Sequence, residues 1–194
     1  MDKIEKFLQK KIFPDLEQGR YDWDLPHTKL VVKKIKKIIK ENPELNLDEA
    51  VLIIAAYAHD WGYADLFKGS REGARYNKEY KRKHMEISAN KLKELLKDPI
   101  FDKLSKKQKD RAIHIVSVHD KITEIDETDE LVFMEADTLA GLDVTEVQPS
   151  YSKEFNDKYM KFAKESRAVR FITEYSKREF ERLFKLRKEF YANL

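Results

Sequence analysis

Two histidine–aspartate pairs are the residues of this chain most suited to chemistry. His59 and Asp60 end the apolar stretch LIIAAYAHD, and His119 and Asp120 end the segment RAIHIVSVHD. Neutral imidazole and carboxylate are ligands that Zn, Mn, Fe and Ni accept in proteins. Because an unpaired carboxylate at the end of a buried helix is costly, the first pair is a candidate pair of metal ligands.

The histidines as a group favour the same chemistry. Four of the five fall on the apolar faces of four different predicted helices, namely His27, His59, His84 and His119. One buried imidazole is usually a hydrogen-bonded core residue, but four would each need a partner, at about 1–3 kcal/mol for each group left unpaired. A shared metal ion would satisfy all four together. His114 points about 140° around its helix from His119, so we expect it not to be a ligand.

The aspartates divide into buried and exposed candidates. Asp137 lies within VFMEADTLAG on the same predicted helix face as Phe133 and Met134, which places it inside. Asp120 is followed at once by KITEIDETDE, which is typical of a solvated loop. We therefore predict that Asp60 and Asp137 join the histidines and that Asp120 lies on the surface.

Helical periodicity predicts the elements that must position these side chains. Gly and Pro number only five each, and strand patterns are nearly absent. A first helix should break near Pro14, a second should begin at an Asp24 cap, and a third, apolar nearly all round, should be central. Three more are expected at about 80–97, from a Ser105 cap to His119, and over ELVFMEADTLAGL. The stretch YADLFKGSREGARYN is predicted to be a loop.

Composition limits the classes of protein. The 194 residues suit one domain spanning 1–194, and the 39% of charged residues nearly balance at a net charge of +3. No nucleic-acid or membrane partner is expected, since the basic excess is local and no run reaches 18 apolar residues. Cysteine is absent, and MDKIEKFLQK lacks the apolar region of a secretion signal, which favours a cytoplasmic protein.

The order His27, then His59–Asp60, then Asp137 resembles the signature of the HD-domain superfamily of metal-dependent phosphohydrolases. The segments PHTKLVVKKI, IIAAYAHDWGY, HMEISANKL and MEADTLAGLD are each similar to family segments. The resemblance covers about residues 24–145, and 152–194 is less specifically similar to the helical tail of small bacterial and archaeal members. It implies a single all-α, multi-helix domain with an HD-type metal-binding core and a helical C-terminal extension.

The same resemblance implies a ligand set. Four residues would bind one divalent transition metal ion (Mn, Fe, Ni, Co or Zn), and these are His27, His59, Asp60 and Asp137. Members with two metals add two histidines, which correspond here to His84 and His119, and Asp60 would then bridge both ions. A mononuclear site stays open as an alternative, because His84 follows KRK and would then be a surface residue.

The implied activity is hydrolysis of a phosphomonoester or phosphodiester by a metal-activated water, with a small nucleotide-type substrate. The segment 68–83 carries seven basic and two acidic residues and leads to His84. Its candidates for binding phosphate are Arg71, Arg75, Lys81 and Arg82.

The proton donor for the leaving group is less clearly indicated. Asp65 is the ionisable group nearest after Asp60, so these two are the candidate catalytic residues. Weaker candidates for the donor are Tyr63, Glu86 and Glu135.

Two other functions compete with the hydrolase. The six-ligand pattern also occurs in the mixed-valent di-iron oxygenases of the same superfamily, and ligand identity does not separate the two. A regulatory module with a degenerate site is the third hypothesis, which the presence of every candidate ligand disfavours.

Overall fold

The computed structural model describes residues 1–20, 23–67, 78–147 and 152–193, and these ranges contain helices but no strands, which confirms the all-α prediction. The helices are α1 (Asp2–Leu16), α2 (Asp24–Glu41), α3 (Glu49–Ala58), α4 (Tyr63–Phe67), α5 (Lys78–Leu95), α6 (Lys106–Val118), α7 (Thr128–Leu142), α8 (Lys153–Phe162) and α9 (Glu174–Ala192). A π-helical turn, Ala163–Arg167, extends α8. None of the helices in these ranges is both long and apolar enough to cross a membrane.

Helix α3 is the centre of the core. Every residue from Val51 to Ala58 is buried, as its almost uniformly apolar sequence predicts. Asp48 begins the helix by accepting a hydrogen bond from the Val51 N–H at 3.2 Å. Helices α2 and α6 pack closely against α3, and α1, α5 and α7 also contact it. The C-terminal end of α3 is therefore enclosed by the helices that carry the other candidate ligands.

The other helices pack mainly as pairs around this centre. Helix α2 lies along α7, and α5 lies along α6. Helix α9 covers α7 and part of α2, so the C-terminal region shares the core of the preceding helices. The buried Lys34 of α2 joins these elements, donating to Asp143 at 2.8 Å and to Glu179 of α9 at 3.1 Å.

Three local predictions were wrong. Helix α1 continues through Pro14, which lies two residues before its end and removes only one helical hydrogen bond. Asp24 is not the cap of α2 but its first residue, and its carboxylate accepts from the backbone and side chain of Arg20. The predicted loop YADLFKGSREGARYN begins with a short helix, α4, while 68–77 lies outside the described residues.

Candidate metal centre

The turn that follows α3 carries His59 and Asp60 into the interior. Its backbone approaches α5 so closely that a Cβ on Gly62 would lie 2.3 Å from the carbonyl oxygen of His84. The Gly62 N–H also donates to the Ser88 hydroxyl at 2.7 Å. Glycine is therefore required at this position for Asp60 and His84 to lie together.

Three of the imidazoles have their orientation fixed by the backbone. His59 and His119 each follow the end of a helix, and the Nδ1 of each lies 2.8 Å from the carbonyl oxygen three residues earlier. The Nδ1 of His84 lies 3.2 Å from the carbonyl oxygen of Tyr80. A ring nitrogen that faces a carbonyl oxygen must carry the proton, so Nε2 of each neutral ring has a free lone pair.

These Nε2 atoms surround the carboxylate of Asp60, and its two oxygens face different imidazoles. Oδ2 lies 3.4 Å from Nε2 of His59. Oδ1 lies 3.4 Å from Nε2 of His84 and 3.7 Å from Nε2 of His119, and those two nitrogens are 3.2 Å apart. Asp60 therefore has the geometry of a carboxylate shared between two groups of nitrogen donors.

His27 and Asp137 complete the side of the centre nearest His59. Nε2 of His27 lies 2.9 Å from Oδ1 of Asp137, and Nε2 of His59 lies 3.9 Å from the same oxygen. Ligands about 2.0–2.2 Å from one ion are roughly 3–3.5 Å apart, so the observed separations are of the right size. Two buried sets of donor atoms could each hold a metal ion: His27, His59 and Asp60, and Asp60, His84 and His119.

The burial of these groups is compatible with a bound metal ion. His59 and His84 are 0% exposed, so the alternative in which His84 lies on the surface is wrong. Nε2 of His59 has no hydrogen-bond partner among the described residues. Unprotonated nitrogens this close to each other repel unless a proton or a cation lies between them, and the donor set fits a divalent transition metal.

The electrostatics favour the protonation states that metal binding needs. Burial lowers the pKa of His59, and it lowers that of His84 to about 3. Burial opposes ionisation of Asp60, but its electrostatic interactions with the His59 ring and the Arg20 guanidinium hold its pKa well below the ordinary value. Burial likewise disfavours a charged His119, but its hydrogen bond with Asp60 raises its pKa. The centre therefore holds a charged carboxylate and at least two neutral imidazoles.

A cavity of about 110 Å³ opens onto the centre. Its wall includes His27, Asp60, His119 and Asp137, so four of the six predicted ligands face it. The other lining residues are Gly141 and a set of aromatic or charged residues: Trp23, Tyr63, Phe155, Tyr159, Phe162, Arg20, Lys81, Asp120 and Arg167. Of the predicted phosphate-binding residues, the structure brings Lys81 to this cavity.

The prediction that Asp120 lies on the surface was wrong. Its side chain is 17% exposed and accepts from Nη2 of Arg167 at 3.1 Å, while Nζ of Lys81 lies 3.6 Å from its other oxygen. Burial opposes ionisation, but Lys81, His119 and Arg167 lower the pKa of Asp120 below its ordinary value. The solvated loop begins after Asp120. The cations beside the Asp120 carboxylate, Lys81 and Arg167, are distant from it in sequence.

Two arginines at the centre were missed in the sequence. Arg20 precedes α2, donates to Asp60, and lies with its guanidinium 3.8 Å from the ring centroid of Tyr63. Arg167 donates to Asp137 at 2.8 Å. Neither arginine has a local pattern that marks it, since one lies between helices and the other in a highly charged C-terminal segment. The predicted burial of Asp60 and Asp137 was the signal that could have indicated these arginines, because a buried carboxylate needs a compensating cation.

Several predicted residues lie away from the cavity. Asp65 is exposed and pairs with Lys91 at 3.3 Å, so the structure does not bring it to the centre as a catalytic group. Arg82 is also exposed, and its nearest acidic partner is Glu86 at 3.8 Å. Arg71 and Arg75 lie outside the described residues.

The remaining candidates have other partners. Glu135 is buried, but its carboxylate accepts hydrogen bonds from the backbone and hydroxyl of Thr173, which places it in a structural role. His114 is half-exposed and lies 2.9 Å from Glu130, as expected of a residue outside the ligand set. Tyr63 does line the cavity, with its ring stacked on His84 at a centroid distance of 4.0 Å.

Comparison of the chain with protein-family models, with curated proteins and with solved structures gave no match. The buried cluster of histidines and aspartates able to hold a metal ion is therefore established by the geometry of this chain alone.

Proposed function

We propose that this protein is a metal-dependent phosphohydrolase with two divalent ions bridged by Asp60. The observation that carries the proposal is that the two oxygens of the Asp60 carboxylate face different imidazoles. Oδ2 faces His59 and Oδ1 faces His84 and His119, so one residue can serve both sets of ligands. His27 and Asp137 would complete the first set. The resemblance to the HD-domain superfamily supports the same assignment.

The metal ions and the residues of the chain would have different roles in the reaction. Bound divalent ions would activate a water molecule for attack and neutralise charge on a phosphoryl group. The residues of the chain orient the ligands and restrict the approach to the centre. Trp23 stacks on His27 at a centroid distance of 5.3 Å, and Phe133 packs edge-on against His59 at 5.7 Å. These contacts hold the imidazoles in position and keep water from their far sides.

The lining of the cavity suits a small phosphorylated substrate with an aromatic part. Lys81 is half-exposed at the mouth, where its ammonium group can meet an anionic group that enters. Trp23, Phe155 and Phe162 supply aromatic surface on which a nucleobase could stack. Burial raises the pKa of Tyr63 well above its ordinary value, so this phenol keeps its proton. Because an ammonium group and several aromatic rings line the same cavity, a nucleotide is the substrate class that we propose.

A panel of phosphorylated substrates tests the proposal. Purified protein loaded separately with Mn, Fe, Co, Ni or Zn is assayed for phosphate release from nucleoside monophosphates, nucleoside triphosphates, dinucleotides and a generic phosphomonoester. Hydrolysis that needs metal and is lost in Asp60→Asn but kept in His114→Ala is expected. Oxygen consumption by the iron-loaded protein, with no phosphate release, would instead favour the oxygenase hypothesis.

A further inference from the structure

Arg167 reaches the centre from outside the segment that resembles the HD core. It ends the π-helical turn Ala163–Arg167, which continues α8. The chain after this turn is fastened to α7, because the carboxylate of Glu135 accepts hydrogen bonds from the backbone N–H groups of Ile172 and Thr173. Helix α7 thus fixes the segment that carries Arg167 and also supplies Asp137, two residues after Glu135. Single π-helical turns are frequent at functional sites.

Arg167 is 4% exposed, and its guanidinium lies between two carboxylates. Nη1 donates to Oδ2 of Asp137 at 2.8 Å and approaches the Thr138 hydroxyl at 3.3 Å. Nη2 donates to Oδ1 of Asp120 at 3.1 Å. The remaining nitrogen, Nε, is buried and has no hydrogen-bond partner among the described residues. A planar, fully charged group held at both ends in this way has a fixed orientation.

We propose that Arg167 is a positioning residue that holds the carboxylate of Asp137 in its ligating orientation, an inference that rests on the proposed metal-dependent function. Arg167 binds Oδ2, which leaves Oδ1 facing Nε2 of His27 at 2.9 Å and Nε2 of His59 at 3.9 Å. Rotation of the carboxylate would break the contact with Arg167. Oδ1 of Asp137 is thereby already directed toward the imidazoles in the metal-free protein, which lowers the entropic cost of assembling the metal site.

Asp120 supports this arrangement from the opposite side. It binds Nη2 of Arg167, and Lys81 lies 3.6 Å from its second oxygen. Asp120 directly follows His119, so the anchor of Arg167 is covalently adjacent to a proposed ligand of the second ion. Arg167 therefore contacts the set of ligands that contains Asp137, and its hydrogen bonds within the described residues go to Asp137, Thr138 and Asp120 rather than to His84.

A purely electrostatic role for Arg167 predicts the opposite effect on metal affinity. A positive charge next to an empty site repels a divalent ion, so its removal should tighten binding. A positioning role predicts that removal weakens binding, because Asp137 is then free to rotate. Disruption of a group that orients a ligand typically costs about 10–100-fold in metal affinity. The sign of the change therefore distinguishes the two roles.

The test is Mn²⁺ binding to metal-free protein, measured by calorimetric titration for the wild type, Arg167→Met and Arg167→Lys. Positioning predicts that both variants weaken the site containing Asp137 by about 10–100-fold, because lysine keeps the charge but lacks the planar fork. The site formed by His84 and His119 should keep its affinity. Arg182→Met is the matched control, since Arg182 is exposed and pairs with Glu179 of α9.

Thermal unfolding of the metal-free variants is measured to check that they are folded, and Asp120→Asn provides a milder version of the same change. This substitution loosens one end of Arg167 and should weaken the same site by a smaller factor. Binding by Arg167→Met that is as tight as in the wild type, or tighter, would overturn the positioning role alone. A wild-type protein that binds no Mn²⁺ would overturn the proposed function and this role together.

Discussion

Replacement of Gly62 by alanine should remove the second ion of the proposed pair while leaving the fold intact. The new Cβ would lie 2.3 Å from the carbonyl oxygen of His84 and 3.0 Å from its Cα, whereas ordinary contact begins at 3.4 Å. Because the obstacle is backbone, α5 and the turn must separate by about 1 Å. That shift would carry Nε2 of His84 away from Oδ1 of Asp60, now 3.4 Å distant. Metal–ligand distances tolerate only about 0.2 Å, so the site should fail.

The expected loss of stability is moderate. Overpacking costs about 1–3 kcal/mol, and the hydrogen bond from Gly62 to Ser88 contributes about 1 kcal/mol more. Elemental analysis should therefore find one fewer metal equivalent in a protein that urea unfolds about 2–4 kcal/mol more easily. Gly141→Ala is the matched control, since its Cβ would meet the side chain of Tyr159 rather than backbone. Full metal content in Gly62→Ala would refute the argument that this close approach assembles the second set of ligands.

Two further predictions concern single side chains. Asp60→Asn should lower the metal content of both sites and abolish hydrolysis, because it weakens the one carboxylate that faces both sets of imidazoles. His114→Ala should change neither the metal content nor the hydrolysis. Similar metal content in the two variants would contradict the ligand assignment. Burial lowers the pKa of His84 to about 3, so the unfolded chain binds more protons than the folded one below the ordinary value of 6.5. The stability of metal-free protein that His84 contributes is therefore complete above about pH 6.5 and is lost as the pH falls. Urea unfolding at pH 7 and pH 5 should show a smaller pH dependence in His84→Gln, and an unchanged dependence would count against this pKa shift.

The fold and the histidines of the centre could be predicted from the sequence because both depend on periodicity. The positions of His27, His84 and His119 on apolar helix faces were enough to place them inside, and the structure confirms their burial. The start of α6 followed from the predicted cap at Ser105.

The cations around the centre could not be predicted in this way. Arg20 and Arg167 meet Asp60 and Asp137 through contacts that are distant in sequence. Asp120 was misplaced for the same reason, because its local sequence is polar and its partners are remote. A pattern of helix faces shows which side chains point inward but does not show which charges will meet there.

Counting the bound metal tests the central claim, a centre of two ions sharing Asp60, most directly. Wild-type protein purified without chelators and then loaded with Mn²⁺ should contain two equivalents by elemental analysis. His84→Ala, His119→Ala and the double variant should each contain about one, because two ligands of the same ion act as a unit. Two equivalents in the double variant would contradict the assignment of the second site, and no bound metal in the wild type would contradict the whole account.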